Sequence, residues 1–160
     1  MSDFEICYLA DKKEFVEACA AWAYGRWGVQ VSDGSFERAF KRFSECAQKN
    51  KLPFTLIALD KNKRPAAMAS LWEQDGEIWQ EQTPWIAAVY TLYRYRGNGL
   101  AKKLISRLEE EAVKLGFKEI YLHSESTAGY YPQLGYQKIE TVKDENADIG
   151  ETTLFKKILV

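Results

Sequence analysis

The chain has 160 residues, of which 46% are hydrophobic and 28% are charged, with a formal net charge of −1. This balance is typical of one globular domain over residues 1–160, and the lack of a basic excess argues against a nucleic-acid partner. No apolar run reaches membrane-spanning length and no secretory leader is visible, so we expect a cytoplasmic protein without a membrane partner. Cys7, Cys19 and Cys46 lack metal-ligand spacing and accompany a single histidine, which predicts reduced thiols and no metal site.

Hydrophobic periodicity predicts a strand, two helices and a hairpin before residue 80. The strand covers residues 4–9, the helices cover 11–24 and 36–48, and the hairpin strands cover 54–60 and 66–73. The second helix carries three aromatic residues at helical spacing, Phe36, Phe40 and Phe43. We expect this stripe to pack into the core.

The segment from residue 84 to residue 116 organises the rest of the chain. Residues 86–91 are mostly apolar, with β-branched and aromatic members, which predicts a strand buried on both faces. A glycine-containing turn follows, and apolar residues then recur at helical spacing from residue 100 to residue 115. Gly116 comes next as the expected C′ residue of this helix.

The turn between this strand and this helix predicts a cradle for a phosphate group. The first N–H groups of a helix have no intrahelical partner, and glycines let an anion approach them closely. Arg96 adds positive charge beside the turn. The donors would be the backbone amides of Gly97, Asn98, Gly99, Leu100, Ala101 and Lys102. The turn matches neither a P-loop nor the dinucleotide-binding fingerprint.

The remaining residues are predicted to complete a sheet around this unit. A strand over residues 119–124 follows the helix, and a strand, a helix and a strand of these lengths form a right-handed parallel crossover. A helical turn covers residues 130–134. Strands over 136–142 and 152–159 form a closing hairpin around the polar loop 143–150.

Two motifs in this region resemble the GCN5-related N-acetyltransferase (GNAT) family. Residues 96–101, Arg-Gly-Asn-Gly-Leu-Ala, are similar to the family signature Arg/Gln-x-x-Gly-x-Gly/Ala. Residues 130–136, Tyr-Tyr-Pro-Gln-Leu-Gly-Tyr, are similar to its Phe-Tyr-x-x-Leu-Gly-Phe segment, at a spacing that also fits. The resemblance implies an α/β fold with a mixed, mostly antiparallel sheet, helices on both faces and a parallel strand–helix–strand core that binds coenzyme A.

The same resemblance implies a cofactor and a catalytic acid. Acetyl-CoA would place its pyrophosphate in the cradle and its pantetheine arm beside Val89, Tyr90 and Thr91, where a backbone N–H could bond the thioester carbonyl. Tyr131 matches the tyrosine that protonates the leaving thiolate in the family. A phenol with a pKa of about 10 is neutral at pH 7 and can donate a proton. The alternative is a tyrosine packed in the core.

The general base is harder to assign from the sequence. Many family members carry a glutamate on the strand before the cradle, and residues 85–91 contain none. Leu122-His123 resembles a Leu-His pair of some protein N-terminal acetyltransferases in which the histidine is the base, and an unperturbed pKa of about 6.5 suits that role. Glu73, Asp75 and a water chain are the alternatives, and His123 could instead be structural.

The sequence therefore predicts an N-acetyltransferase that moves an acetyl group from acetyl-CoA to a primary amine by direct attack in a ternary complex. A peptide N-terminus, a lysine side chain and a small amine are all open as acceptors, and unperturbed pKa values favour the peptide amine. The alternative functions are a non-catalytic acyl-CoA-binding or sensing module and a structural domain with a fortuitous glycine turn. We expect a monomer or a homodimer.

Overall fold

The computed structural model describes residues 3–125, 129–143 and 150–160, which form a seven-stranded sheet with helices on both faces. The strands are β1 (Glu5–Tyr8), β2 (Phe54–Leu59), β3 (Pro65–Trp72), β4 (Trp85–Thr91), β5 (Glu119–Ser124), β6 (Gln137–Lys143) and β7 (Glu151–Ile158). The helices are α1 (Val16–Arg26), α2 (Phe36–Glu45), α3 (Leu100–Lys114) and the short α4 (Tyr130–Gln133). The strand order across the sheet is β1-β2-β3-β4-β5-β7-β6.

Neighbouring strands of the described sheet are antiparallel except in its middle. There β4 and β5 run parallel, since α3 carries the chain from the end of one strand to the start of the other. β7 pairs with β5 on one side and with β6 on the other, so the C-terminal hairpin extends the sheet beyond this parallel pair. The arrangement confirms the predicted mixed, mostly antiparallel sheet with a parallel strand–helix–strand unit.

Alternating side chains on the central strands build one apolar core on each face of the sheet. In β2, Leu56 and Ala58 point to one face while Ile57 and Leu59 point to the other, and all four are fully buried. On the first face, α3 contributes Leu100, Leu104, Ile105, Leu108 and Ala112. On the other face, α1 and α2 contribute Val16, Cys19, Ala20 and Phe43. The predicted placement of helices on both faces is confirmed.

Gly116 ends α3 as the sequence predicted. Its φ is +93°, its N–H bonds the Val113 carbonyl at 3.0 Å, and the Phe117 N–H bonds the Ala112 carbonyl at 3.0 Å. This is a Schellman motif, in which a left-handed residue satisfies carbonyls of the last helical turn. The predicted end of the helix that follows the cradle is therefore confirmed.

The predicted start of the first helix was wrong. The sequence predicts a helix from residue 11, but Lys13–Phe15 form a 3-10 turn and α1 begins only at Val16. Asp11 lies before both, and its carboxylate pairs with the Lys49 ammonium at 2.7 Å.

The predicted apolar stripe of α2 is buried at one position only. Phe43 is 1% exposed, whereas Phe36 and Phe40 are 36% and 39% exposed. The reason is that α2 packs mainly against α1 rather than against the sheet. The helix also ends at Glu45, earlier than predicted. Of the predicted polar loop 143–150, residues 144–149 lie outside the described part of the chain. No helix in the described ranges has the length and apolarity needed to span a membrane.

Candidate active site

A cleft opens in the sheet between the two parallel strands. In the described ladder only Trp85 of β4 and Tyr121 of β5 pair with each other, and the Tyr121 N–H also bonds the Pro84 carbonyl at 3.0 Å. Beyond this point β5 stays paired with β7, so β4 and β5 diverge. Residues 86–89 and 122–125 line a cavity of about 590 Å³ that also reaches α1, α2 and Tyr131.

A bulge in β4 lies at the wall of this cavity. Ala88 has a φ of +53°, a left-handed conformation that is uncommon for a residue other than glycine. The register with β3 shifts there, and neither Ala88 nor Val89 pairs with a β3 residue in the described ladder. A bulge of this kind turns backbone N–H and C=O groups away from the ladder. The two residues, which both line the cavity, therefore offer backbone groups to a ligand.

The glycine turn that the sequence predicts as a phosphate cradle lies at the N-terminus of α3. Gly97 and Gly99 have φ values of +86° and +72°, and a Cβ atom added at either would meet nothing within 4 Å. The helical bond from the Lys103 N–H to the Gly99 carbonyl measures 3.1 Å. The amides of residues 100–102 precede this bond and have no acceptor within the helix. The open space and the free amides give the turn the properties of an anion site.

Side-chain contacts hold the turn that leads into the cradle. The Tyr95 hydroxyl donates to Asp60 Oδ2 at 2.5 Å, and this hydrogen bond lowers the pKa of the Asp60 carboxyl. Arg96 Nε donates to the Thr91 carbonyl at 3.1 Å, and the Asn98 amide donates to the Tyr95 carbonyl at 2.8 Å. The side chains of Arg96 and Asn98 thus shape the turn, and its backbone amides are the main groups left for an anion.

Tyr131 lies on α4 and lines the cavity. Its ring contacts those of Tyr130, Tyr136 and Phe155, with centroid separations of 5.2, 6.2 and 5.7 Å. Its hydroxyl makes no hydrogen bond to any other described residue. Burial, with a smaller contribution from the charge of Tyr130, raises the pKa of Tyr131 above 10.0. The phenol is therefore protonated at neutral pH and free to donate.

A polar network behind α4 holds the segment that carries Tyr131. Lys157 Nζ donates to the Leu134 carbonyl at 2.8 Å and to Glu109 Oε1 at 3.0 Å. The Tyr136 hydroxyl donates to Glu109 Oε2 at 2.7 Å. The side chains of Lys157 and Glu109 are 27% and 16% exposed, so little water screens their interaction. The network joins α3, β7 and the turn after α4.

Loss of this network is expected to destabilise the fold. Lys157→Met should lower the free energy of unfolding by about 1–3 kcal/mol, because Glu109 loses its cation and the Leu134 carbonyl loses its donor. Chemical denaturation measures the change. Lys156→Met is the matched control, since Lys156 pairs with Glu119 at 2.9 Å in a more exposed place and its loss should cost less. An equal decrease in the free energy of unfolding of the two variants would contradict a structural role for the network.

His123 lies on β5 and contacts Asp75 of the β3–β4 loop. Nε2 is 3.1 Å from Asp75 Oδ2, and Nδ1 is 3.2 Å from Thr152 Oγ1. The ring packs against Trp79 and Trp85, with centroid separations of 6.1 and 5.7 Å. Because an ionised carboxylate can only accept, Nε2 carries a proton and Nδ1 is the basic position of the neutral ring.

Trp79 holds the β3–β4 loop against the neighbouring strands. Its side chain is buried, its indole N–H donates to Glu140 of β6, and its ring packs on Trp85 with a centroid separation of 6.3 Å. These contacts fix the loop that carries Asp75. The loop therefore brings a carboxylate to a histidine that lies far away in the sequence.

Opposing effects set the pKa of His123. Burial lowers it, whereas the hydrogen bond and charge of Asp75, followed by the charge of Glu125, raise it. The net shift is upward from the ordinary value of 6.5, which corrects the unperturbed value used in the sequence prediction. The imidazolium therefore persists above pH 6.5, and the neutral base forms only at higher pH.

The three β4 residues that were predicted to contact the cofactor differ in their surroundings. Val89 lines the cavity. Tyr90 pairs with β3, and its ring packs against Trp22 and Trp27 on the α1 side, with centroid separations of 5.7 and 6.4 Å. Thr91 also pairs with β3, and its carbonyl accepts from Arg96. Val89 and the unpredicted Ala88 are thus the β4 backbone positions best placed for a ligand.

The structure also separates the alternative bases. Asp75 lines the cavity and contacts His123, whereas Glu73 is exposed and does not line it. In the described ranges, no three His, Cys, Asp or Glu side chains are grouped so that they could hold a metal ion.

One wall of the cavity contains residues that sequence analysis missed. Arg42 of α2 and Trp72 of β3 both line it, and the guanidinium carbon lies 4.3 Å from the Trp72 ring centroid. The two residues are far apart in the sequence and belong to no motif. Only the tertiary fold brings them together.

The described residues thus form a cleft between diverging parallel strands, followed by an open glycine turn at the N-terminus of the next helix. The family model described as Acetyltransferase (GNAT) family matches residues 16–136. This match covers most of the chain, which therefore belongs to the GNAT acetyltransferase family. The family predicted from the two motifs is confirmed. No curated protein matches the sequence.

Solved structures share the fold over nearly the whole chain. An N-acetyltransferase from Staphylococcus aureus Mu50 has a TM-score of 0.77 at 15% identity, covering 99% of this chain and 100% of that one. The structure of yncA from Salmonella typhimurium with its cofactor acetyl-CoA has a TM-score of 0.76 at 17% identity, with coverages of 99% and 95%. Aminoglycoside 6′-acetyltransferase type Ii has a TM-score of 0.74 at 16% identity, with coverages of 98% and 97%. These likenesses confirm the predicted fold class.

Proposed function

We propose that the protein transfers an acetyl group from acetyl-CoA to a primary amine, which attacks the thioester directly in a ternary complex. The observation that supports this most is the cleft between β4 and β5. The open cradle follows the end of β4, and Tyr131 and the His123–Asp75 pair line the cavity in the cleft. The cavity therefore contains a candidate proton donor and a candidate proton acceptor, and the candidate anion site lies at the start of α3, outside the residues that line the cavity.

Acetyl-CoA would be held by backbone groups. The amides of residues 97–102 would bind its pyrophosphate, because they are exposed or lack helical partners and a helix N-terminus favours an anion. The bulge at Ala88 and Val89 would lie beside the pantetheine arm. An N–H of this bulge would bond the thioester carbonyl and stabilise the negative charge that develops on its oxygen. Acetyl-CoA supplies the activated acetyl group.

Protons would move at two positions, at Tyr131 and at the His123–Asp75 pair, which both line the cavity. The Tyr131 hydroxyl donates to the leaving thiolate, a role that suits its raised pKa and its lack of another acceptor. The attacking amine loses a proton to Nδ1 of His123. Nε2 is bonded to Asp75, and Nδ1 accepts from the Thr152 hydroxyl in the neutral ring. The amine proton would therefore pass to a water molecule, which gives a proton to Thr152 Oγ1 as the Thr152 hydroxyl proton moves to Nδ1. Asp75 keeps the other nitrogen protonated.

The Asp75 contact predicts a shift in the pH profile. The base works as neutral imidazole, so the rate falls as pH falls through the pKa of His123, which Asp75 raises. In wild type the acid limb of kcat/KM should have an apparent pKa above 6.5. In Asp75→Asn the carboxylate no longer raises the pKa of His123, while burial still lowers it. The acid limb of kcat/KM should therefore move to lower pH. His123→Ala should remove or displace this limb.

The control for this profile is Glu73→Gln, which removes an exposed carboxylate two residues from Asp75. Its acid limb should match that of wild type. An identical limb in wild type, Asp75→Asn and His123→Ala would show that the pair does not take the proton.

The activity itself is tested by release of free thiol from acetyl-CoA in the presence of a panel of primary amines. The panel should contain peptides with free N-termini, lysine and small amines. An α-amino group, with a pKa of about 7.7–8.0, loses its proton more easily than a lysine amine at about 10.4, so we expect it to be the better acceptor. Binding of acetyl-CoA without amine-dependent release would favour a non-catalytic binding module.

A further inference from the structure

The cavity contains an arginine, Arg42, whose guanidinium has no hydrogen-bond acceptor among the residues that the structure describes. Arg42 has a side chain that is 30% exposed, and its only ion-pair neighbour in the described ranges is Glu45, 3.8 Å away at Oε2. That separation exceeds hydrogen-bond length, and the Glu45 side chain is itself 50% exposed. The Arg42 guanidinium donates no hydrogen bond to any described residue. A guanidinium carries five N–H donors, so this group is prepared for an external acceptor.

The Arg42 guanidinium contacts the ring of Trp72. Its central carbon lies 4.3 Å from the centroid of the Trp72 ring, a cation–π distance. Trp72 packs in turn against Phe43, the buried residue of α2, with ring centroids 6.4 Å apart. The contact involves the central carbon of the group, and in the described ranges its N–H donors make no hydrogen bond. These donors match a carboxylate with two parallel hydrogen bonds.

Positive and negative side chains that line the cavity lie on different structural elements. The charged residues that line it are Arg26, Arg38, Arg42, Asp33, Asp75 and Glu125. Arg38 is neutralised by Asp33, whose Oδ2 lies 2.5 Å from its NH1. The remaining positive charges, Arg26 and Arg42, belong to α1 and α2. Asp75 of the β3–β4 loop is paired with His123, and the remaining carboxylate, Glu125, directly follows β5. A ligand with one anionic and one cationic end complements this arrangement.

We propose that Arg42 binds an anionic group of the acceptor, so that the acceptor is an amine that also carries a carboxylate, as α-amino acids do. This inference rests on the acetyl transfer proposed above. The carboxylate lies on the α2 wall against Arg42, and the amine lies toward the Asp75 side, where His123 takes its proton. Amines with only positive charge, or with a neutral amide in place of the carboxylate, leave Arg42 without a partner.

The test compares free α-amino acids with their carboxamides as acceptors in wild type and in Arg42→Gln. The ratio of kcat/KM for acid over amide is measured for each protein, and the change in this ratio is the readout. The acid and the amide have amines of different pKa, but this difference affects the ratio equally in both proteins and therefore does not contribute to the change. We expect the ratio to fall by about 10- to 100-fold in Arg42→Gln, the range for a hydrogen-bonded charged pair. Turnover of the carboxamides should change less than turnover of the free acids.

Lys41→Gln is the matched control, because Lys41 is an exposed neighbour on the same helix and does not line the cavity. It removes the same charge, so an equal fall in both variants would assign the effect to overall charge and overturn the proposal. An unchanged ratio in Arg42→Gln, with or without lower thermal stability, would show that Arg42 only packs on Trp72. If no amine is acetylated by wild type, the proposed function fails, and this inference fails with it.

A second measurement does not depend on folding of the variant. The deaminated carboxylic acid of the best acceptor should compete with that acceptor in wild type, and its neutral amide should not. Equal inhibition by the acid and the amide would overturn the proposal.

A further variant, Arg42→Lys, keeps the charge but loses the fork of donors. Its ratio of kcat/KM for acid over amide should therefore lie between those of wild type and Arg42→Gln.

Discussion

Gly99→Glu is expected to lower the affinity for coenzyme A by more than about 100-fold. The substitution places a carboxylate where the pyrophosphate would meet the N-terminus of α3, and two anions at 4 Å repel by about 4 kcal/mol near a protein surface. The added Cβ meets nothing within 4 Å, so the fold should survive. The φ of +72° adds strain of about 1–2 kcal/mol. Calorimetric titration with coenzyme A measures the loss.

The matched control is Gly99→Gln, which has nearly the same shape and the same backbone strain without the charge. It should bind coenzyme A less tightly than wild type and more tightly than Gly99→Glu. Acetyl-pantetheine, which lacks the pyrophosphate, should bind all three proteins alike. Wild-type affinity of a folded Gly99→Glu protein for coenzyme A would refute the cradle.

Tyr131→Phe is expected to lower kcat by about 10²–10⁴-fold, the usual contribution of a general acid. The phenol acts only in the transition state, so kcat and kcat/KM should fall together. Stability should change little, because phenylalanine keeps the contacts with Tyr130, Tyr136 and Phe155, and the lost hydroxyl has no hydrogen-bond partner in the described ranges. Steady-state kinetics with saturating acceptor measures both constants.

Tyr130→Phe is the control for this substitution. Tyr130 is adjacent, 41% exposed and not among the cavity-lining residues, so its hydroxyl should be dispensable. A Tyr131→Phe protein with wild-type kcat would make Tyr131 a packing residue. We expect a large fall in kcat in Tyr131→Phe and little change in kcat in Tyr130→Phe.

The parts of the site that the sequence predicts are those specified by neighbouring residues. Gly97 and Gly99 mark the cradle because they adopt positive φ values where the chain enters α3. Gly116 marks the helix end for the same reason. The motif around Tyr131 and the histidine on β5 were also found from short segments, and both line the cavity. Features that depend on the local backbone conformation can therefore be predicted from residue type and short motifs.

The features that the sequence does not predict depend on contacts between distant segments. Ala88 adopts a positive φ without being glycine, so no residue type marks the β4 bulge. The pKa of His123 is raised by Asp75, which was considered as a rival base and not as its partner. Arg42 and Trp72 meet only through the packing of α2 beside the end of β3. In each case tertiary structure decides the chemistry.

The central claim is that an amine takes the acetyl group directly from acetyl-CoA in this cleft. It is tested by incubating the protein with acetyl-CoA labelled in the acetyl group, with and without an α-amino acid acceptor, and following the label together with thiol release. The account predicts labelled N-acetyl product in an amount equal to the released thiol, and no labelled protein when the acceptor is omitted. Label on the protein would contradict direct attack, and thiol release without labelled amine would contradict N-acetyl transfer.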